Sequence, residues 1–416
     1  MLSNFPRVTY LPALLFGSLF VVSFFIASSK ASADAPLEGT KPAQWRLIWT
    51  SDPATSATVS WSTAQRGSSH SVRFRVKGNS TAEQNAEQGV QLADSGRYTG
   101  GDLELYYHHA RLDDLQPGTA YEVQMVSDEE TSPVFYFVTA PAKDRVFSML
   151  HGGDSRSDQS ARRKMNRVIA NMVAASFANS EPADDLIALA HGGDYIASGT
   201  NLAQWSAWMS DHELTTTDDG RLLPIIPARG NHDRGKPFNE IFGFPTDDLN
   251  YYAIDLGPQV RFVTLNTETS TAGKQAEWLA EELQRSRPKR RWLLAQYHRP
   301  AYPAVKSPGS ALRSWVPLFE QFNVDLVCEA DGHNIKRTVP IRDGKQDETG
   351  VVYIGEGGLG VPQRTPKKER WFLQSPGMTD RGDHVFVLTF GPQEIVGKCV
   401  LVDDTVRDTF SRPVRN

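Results

Sequence analysis

From residue 41 to residue 141, hydrophobic positions alternate with polar ones in short runs. Trp45, Leu47 and Trp49 form one such run, Val72, Phe74 and Val76 another, and Phe135 with Phe137 a third. A period of two over short runs predicts β-strands with one buried face. Turn-rich stretches separate them, such as Lys77-Gly78-Asn79-Ser80 and Gln116-Pro117-Gly118-Thr119. After residue 142 the texture changes. Ala161, Met165, Val168 and Met172 recur at helical spacing behind Asp158 or Ser160, either of which suits an N-cap. Leu202, Trp205 and Trp208 repeat that spacing, as do Ala276, Leu279 and Leu283. The three tryptophans Trp205, Trp208 and Trp278 are read as core. Apolar runs between the helices read as strands, and strands alternating with helices predict a layered α/β domain.

Within the β region, Leu115-x-Pro117-x-Thr119-x-Tyr121 resembles a corner of the fibronectin type III domain, where a Tyr hydroxyl meets the backbone a few residues upstream. Trp61, in Val59-Ser60-Trp61, suits a core strand of the same sandwich. Residues 41–141 are therefore expected to form an immunoglobulin-like, fibronectin type III-like β-sandwich, with another type of β-sandwich as the alternative.

The chain opens differently. Arg7 precedes residues 8–29, which carry no charge and are mostly apolar, and Ala31-Ser32-Ala33 resembles a cleavage site. Residues 1–33 are read as a signal peptide, which makes the mature protein secreted or periplasmic. The uncharged stretch is also long enough to span a bilayer, so an uncleaved N-terminal anchor is the alternative. Either way, the remainder lies outside the cytoplasm.

Length and charge narrow the options further. A chain of 416 residues exceeds one compact core and predicts two or three domains. Its formal charge of −5 falls by two more when Arg7 and Lys30 leave, and no long basic block is present. That argues against a nucleic-acid partner held through its phosphates. Two cysteines, Cys328 and Cys399, are too few for a disulfide scaffold or a zinc finger. They suit either one bridge or two buried thiols.

The informative feature is what ends each strand of the α/β region. His151-Gly152-Gly153-Asp154 and His191-Gly192-Gly193-Asp194 repeat the same four letters. Further on come Arg229-Gly230-Asn231-His232-Asp233, then Gln296-Tyr297-His298-Arg299-Pro300, then Glu329-Ala330-Asp331-Gly332-His333. Five successive strands each deliver Asp, Asn or His just past their ends, where open α/β sheets bind ligands. Carboxylates, an amide and imidazoles together suit two cations that share one ligand.

In that order, Gly-Asp, Gly-Asp, Gly-Asn-His-Asp, a lone His and Asp-Gly-His resemble the signature of the calcineurin-like metallophosphoesterases. A fibronectin-like domain in front makes the layout similar to the purple acid phosphatases. The resemblance implies a multidomain α+β and α/β fold. An immunoglobulin-like sandwich would precede a metallophosphoesterase α/β sandwich of two packed sheets flanked by helices, over residues 145–410. It also implies hydrolysis of a small phosphate ester by a metal-bridging hydroxide on two divalent or trivalent ions, iron, manganese or zinc. Asp154, Asp194 and His333 would hold one metal, Asp194 would bridge, and Asn231, His298 and Asp331 would complete the second site. His232 would contact phosphate and protonate the leaving oxygen, and Asp233 would orient His232.

Three positions depart from that pattern. The usual last motif is Gly-His-x-His, and its first His is Asp331 here, with Glu329 or a plain turn as rival readings. An Asp ligand shifts preference toward manganese, iron or magnesium over zinc. The tyrosine three residues after the bridging Asp is replaced by Ala197, and Tyr195 is expected to point elsewhere. The tyrosinate–iron(III) colour of the family therefore has no counterpart residue. Plant members carry substrate-facing histidines after the lone His, whereas residues 301–310 contain none. Arg156 or Arg299 would meet the phosphate instead, unless Arg156 lies in a solvated loop.

His151 and His191 are read as core or supporting residues, residues 287–291 as a solvated basic loop, and the glycine-rich 355–360 segment as the rim of the site. A phosphomonoesterase is the leading expectation. The rivals are a phosphodiesterase on the same metal core, a non-catalytic surface-binding protein with a degenerate metal domain, and an extracellular nuclease, which the acidic charge disfavours.

Overall fold

The computed structural model describes residues 36–78, 89–176 and 185–415. The segment read as a signal peptide lies outside them. The early strands are β1 (Ala43–Ile48), β2 (Ala57–Thr63), β3 (His70–Val76), β4 (Gly89–Leu92), β5 (Asp94–Arg97), β6 (Tyr106–Leu112), β7 (Ala120–Ser127), β8 (Glu130–Thr131) and β9 (Phe135–Val138). The alternation read from the sequence is visible in β9, where Phe135 and Phe137 are buried and their neighbours half-buried, whereas in β1 the polar Arg46 is buried as well. The corner is formed too: the Gln116 N–H donates to the Tyr121 hydroxyl at 2.8 Å. Trp61 is fully buried and donates its indole N–H to Ser127 Oγ.

The α/β region follows with β10 (Phe147–Gly152), α1 (Gln159–Ala175), β11 (Leu186–His191), α2 (Leu202–His212), β12 (Ile225–Pro227) and α3 (Pro237–Phe242). Next come β13 (Tyr252–Asp255), β14 (Val260–Thr264), α4 (Lys274–Ser286), β15 (Trp292–Gln296), α5 (Ala311–Ser314), α6 (Val316–Gln321) and β16 (Leu326–Cys328). The chain closes with β17 (Ile335–Arg337), a short hairpin of β18 (Ile341–Arg342) and β19 (Lys345–Gln346), then β20 (Val352–Gly355), β21 (Met378–Asp380), β22 (His384–Phe390), β23 (Glu394–Leu401) and β24 (Val406–Pro413). Helix α1 begins where expected, because Asp158 caps it by accepting from the Ala161 N–H at 2.9 Å.

Two sheets face each other. One runs β24-β23-β22-β10-β11-β12-β1-β2-β6-β5, the other β13-β14-β15-β16-β20-β17-β21. Met149, Ala188 and Ile226 of the first pack against Phe262, Leu294 and Leu326 of the second in one buried cluster. The opposite faces take the helices. Leu150 and Leu189 meet Met165 and Ile169 of α1, while Val263 and Ala295 meet Leu279 and Leu283 of α4. Trp205 and Trp208 of α2 are core, as their spacing suggested. Among the described residues no helix is long and apolar enough to cross a membrane.

The sandwich is joined to the α/β region more closely than a linker at residue 142 would allow. β1 pairs in parallel with β12, placing Ile48 beside Ile225, and the Trp49 N–H donates to the Ile225 carbonyl. One sheet therefore crosses the boundary, and the core is continuous through Trp61, Phe137 and Phe147.

One expectation changes and one open choice closes. Residues 287–291 are not a solvated basic loop: Arg287 pairs with Asp325, Arg290 with Asp255 and Arg291 with Asp144, each at 2.8–2.9 Å. Of these carboxylates Asp325 is buried and also accepts from the Leu293 N–H of the strand that follows. Cys328 and Cys399 form no bridge; both are free and buried, and burial raises both thiols above their ordinary range.

Behind the ends of β16 and β20 lies a fully buried ionic cluster. The Lys336 ammonium binds Glu329, Glu356 at 2.9 Å and the Tyr302 carbonyl at 2.9 Å. Burial works against the ammonium, yet the two glutamates hold its pKa above the ordinary lysine value. Glu329 also accepts from Tyr297 Oη and the Ala301 N–H, and Glu356 accepts from the Ala304 N–H. The cluster thus ties the loop after β15 to two other strand ends. Removing one partner of a buried pair strands the other charge. Lys336→Met is expected to lower unfolding free energy by about 3–5 kcal/mol. Adding Glu329→Gln and Glu356→Gln should recover much of that. Chemical unfolding followed by circular dichroism reads both, and an unchanged midpoint in Lys336→Met would show the cluster to be dispensable.

Candidate metal centre

β10, β11 and β12 lie parallel in one sheet, and β15 and β16 lie parallel in the other. Asp154, Asp194, Asn231, His298 and Asp331 follow those strands directly, with His333 two residues further on. The backbone bends sharply to deliver them. Asp154, Asp194, Asp331 and His333 all adopt left-handed conformations, with φ of 55°, 60°, 67° and 58°. Such φ values are uncommon outside glycine and gather where function fixes a side chain. Gly193 makes the second turn possible: at its φ of 97°, a Cβ would lie 2.6 Å from the Gly230 nitrogen.

Asp233 holds this corner together. Its carboxylate accepts from the backbone N–H groups of Asp194 and Gly230 at 2.8 Å and Tyr195 at 3.0 Å. That corrects the role expected of it. Spent on three backbone donors, Asp233 does not orient the His232 ring. The Ala197 carbonyl does so instead, 2.7 Å from His232 Nδ1. His232 Nε2 then points inward, 4.0 Å from Asp194 Oδ2, with the side chain about a third exposed.

The donor atoms converge. One donor atom each from Asp154, Asp194, His298 and Asp331 lies within 4.8 Å of all the others, and all four residues are buried. His298 Nε2 is 3.2 Å from Asp194 Oδ1, 3.2 Å from Asn231 Oδ1 and 3.5 Å from Asp331 Oδ1. His333 Nε2 is 3.2 Å from Asp154 Oδ1. Both histidines are turned the same way by carbonyls, which only accept. His298 Nδ1 meets Gly192 O at 2.9 Å and His333 Nδ1 meets Pro362 O at 3.3 Å. Each therefore presents Nε2 to the cluster, the arrangement of a supported metal ligand.

The electrostatics call for cations. Burial opposes a charge on His298, but Asp194, Asp331 and Asp154 hold its pKa well above the ordinary histidine value. Burial likewise pushes the Asp331 carboxyl up, and His298 and Lys306 outweigh it, bringing it to about 2. Asp233, facing burial and the Asp194 charge, rises to about 7. Asp154 Oδ1 is buried and makes no hydrogen bond, although His333 stands beside it. Three carboxylates, an amide oxygen and two inward imidazole nitrogens fit hard to borderline metal ions.

The remaining candidates sort by position. Arg156 is at the cluster, its Nε 3.2 Å from Asp194 Oδ2 and its Nη2 3.4 Å from His333 Nε2. Arg299 is committed to Glu268 through two contacts of 2.8 and 3.2 Å. Glu329 belongs to the buried ionic cluster and is no rival of Asp331. Tyr195 stacks on His191 at 3.9 Å and turns its hydroxyl to the His191 carbonyl. His151 and His191 support from behind, against the Glu329 carbonyl and Ser155 Oγ. The glycine-rich segment is the rim: the N–H groups of Gly358 and Leu359 donate to the Gly153 carbonyl, and a side chain at Gly357 would strike Asp154.

Sequence reasoning missed Lys306, whose ammonium contacts Asp331 Oδ1, and Arg364, which donates to the Asp331 carbonyl at 3.1 Å. It also missed the Lys336 cluster. None stands in a recognisable motif: Lys306 and Arg364 act on a distant residue, and Lys336 joins Glu329 and Glu356 from different strand ends.

With this geometry in hand, comparison with known proteins is direct. The family model of the purple acid phosphatase N-terminal domain matches residues 42–139, and that of the calcineurin-like phosphoesterases matches residues 134–334. An uncharacterized protein of Mycobacterium tuberculosis is 25% identical over 322 residues, covering 67% of this chain and 57% of the relative. The chain thus spans little more than half of that relative's length. Acid phosphatase type 7 of Danio rerio is 24% identical over 395 residues, covering 82% of this chain and 84% of the relative. Among solved structures, a purple acid phosphatase from yellow lupin (Lupinus luteus) seeds shares the fold with a TM-score of 0.75. It is 18% identical, over 89% of this chain and 74% of that one. The two matched models, in this order, give the chain a calcineurin-like phosphoesterase domain with a purple acid phosphatase N-terminal domain in front of it.

Proposed function

We propose that this chain is an exported dinuclear-metal phosphatase that hydrolyses small phosphate monoesters. The observation that carries the reading is the convergence of Asp154, Asp194, Asn231, His298, Asp331 and His333 at the strand ends, flanked by His232 and Arg156. Asp154 and His333 lie together and would hold one ion. Asn231, His298 and Asp331 lie together and would hold the second, with Asp194 shared. When bound, two such ions, of iron, manganese or zinc, polarise the phosphoryl oxygens and activate a water for attack on phosphorus.

The chain's own residues do the rest. Arg156, 15% exposed in its side chain, would hold a phosphoryl oxygen through charge-assisted hydrogen bonds. His232, held at Nδ1 by the Ala197 carbonyl, would give its Nε2 proton to the leaving oxygen as the P–O bond breaks. Export belongs to the same reading and rests on the charge-free stretch and Ala-x-Ala of residues 1–33.

Two predictions test this. Asp194→Ala should lose bound metal and at least about a thousandfold of aryl phosphate turnover, since a shared ligand serves both ions. Metal content and initial rates read it, with a matching diester alongside. Diester preference in the parent protein would replace the monoester assignment, and full activity in Asp194→Ala would overturn the site. His232→Asn should keep its metal and lose about 100-fold or more on an alkyl phosphate. It should lose far less on a 4-nitrophenyl phosphate, whose leaving group needs no proton. Equal losses on both would remove His232 as the acid.

A further inference from the structure

The loop after β15 is buried from Ala301 to Ala304 and firmly anchored before it reaches the surface at Lys306. The Ala301 and Ala304 N–H groups donate to the buried Glu329 and Glu356 carboxylates. The Lys367 N–H donates to the Ala304 carbonyl at 2.9 Å, and the Arg370 guanidinium binds the carbonyls of Pro303 and of Lys306, the latter at 2.7 Å. From this fixed backbone the Lys306 side chain, 36% exposed, reaches Asp331 Oδ1 at the edge of the cluster. These anchors fix the point from which the half-exposed ammonium meets the buried Asp331 carboxylate.

The other cations near the mouth are differently employed. Arg299 is paired with Glu268, and Arg364 donates to the Asp331 carbonyl. Arg156 and His232 stand on the Asp194 side, whereas Lys306 stands on the Asp331 side. A phosphoryl group arriving between them would meet positive charge on two flanks. A monoester carries close to two negative charges at neutral pH, its second pKa being about 6. A diester carries only one.

We propose that Lys306 is a phosphate-binding residue that adapts the site to dianionic monoesters. The proposal rests on the phosphoesterase reading above. Lys306 shares its ammonium between Asp331 and a non-bridging phosphoryl oxygen, and no bond is made or broken at it.

The test uses the manganese-loaded protein and its Lys306→Gln and Lys306→Arg variants. Bound metal, titration calorimetry with inorganic phosphate, and kcat/KM for an aryl monoester and its matching diester are measured together. Lys306→Gln should keep its metal and bind phosphate about 10- to 100-fold more weakly, the worth of a charged hydrogen bond. Monoester kcat/KM should fall by the same factor, diester kcat/KM by less than about threefold, and Lys306→Arg should recover most of the loss. Loss of metal in Lys306→Gln, equal losses on the two esters, or unchanged phosphate affinity would each overturn the proposal. If the parent protein turns over neither ester, the phosphatase reading falls, and the phosphate titration still decides the role of Lys306.

Discussion

Three aspartates with buried carboxylates are held within a few ångströms of one another, and the architecture around them answers that constraint. Like charges in a low-dielectric interior repel strongly unless cations or hydrogen-bond donors compensate. Here every compensating group is fixed from behind. Asp154 accepts from the Asp331 N–H at 2.7 Å, and Asp194 accepts from the His232 N–H at 2.9 Å. Asp233, one layer further in, is spent wholly on backbone donors. The left-handed residues are what this costs: a relaxed strand end would not aim these carboxylates at one point.

Rigidity at those ends comes from both sheets at once. The first sheet is continuous from the early sandwich into the α/β region through β1 and β12, so the turn at residues 229–233 grows from a strand braced on both sides. The second sheet is stiffened by the Lys336 cluster, which links the end of β16, the end of β20 and the loop after β15. Buried ionic groups add little net stability over apolar packing, but those of this cluster are each tied to several backbone and side-chain partners, which fixes the segments they join. That is the property a site needs when its donors must stay within tenths of an ångström.

How much of this the sequence disclosed follows from separation along the chain. Helix α1, its Asp158 cap and the Tyr121 corner are local patterns and were legible. So were the strand-end donors, because each strand and its following turn are contiguous in sequence. The role of Asp233 was misread for a physical reason: adjacency to His232 suggested contact, but successive residues of a tight turn point apart. The same holds for residues 287–291, where three arginines looked solvated until the fold supplied Asp325, Asp255 and Asp144. Lys306, Arg364 and Lys336 act through partners brought near only by topology, and nothing in their neighbours marks them.

The departures from the Gly-His-x-His pattern read together rather than singly. Asp331 stands where a neutral imidazole would otherwise stand, adding a negative charge to a site already rich in them. Lys306 brings a positive charge to the same oxygen, so the local balance is restored. Aspartate, like the histidine it replaces, is among the residues that accept the left-handed backbone found at 331. That backbone is fixed at both ends, by Asp154 on its N–H and Arg364 on its carbonyl. At Ala197 the side-chain donor is gone, and what the residue gives the site is its backbone carbonyl, which holds His232 Nδ1. The six donors of the cluster are all present, and the change at 331 is matched by a neighbouring charge, while the tyrosine side chain has no counterpart.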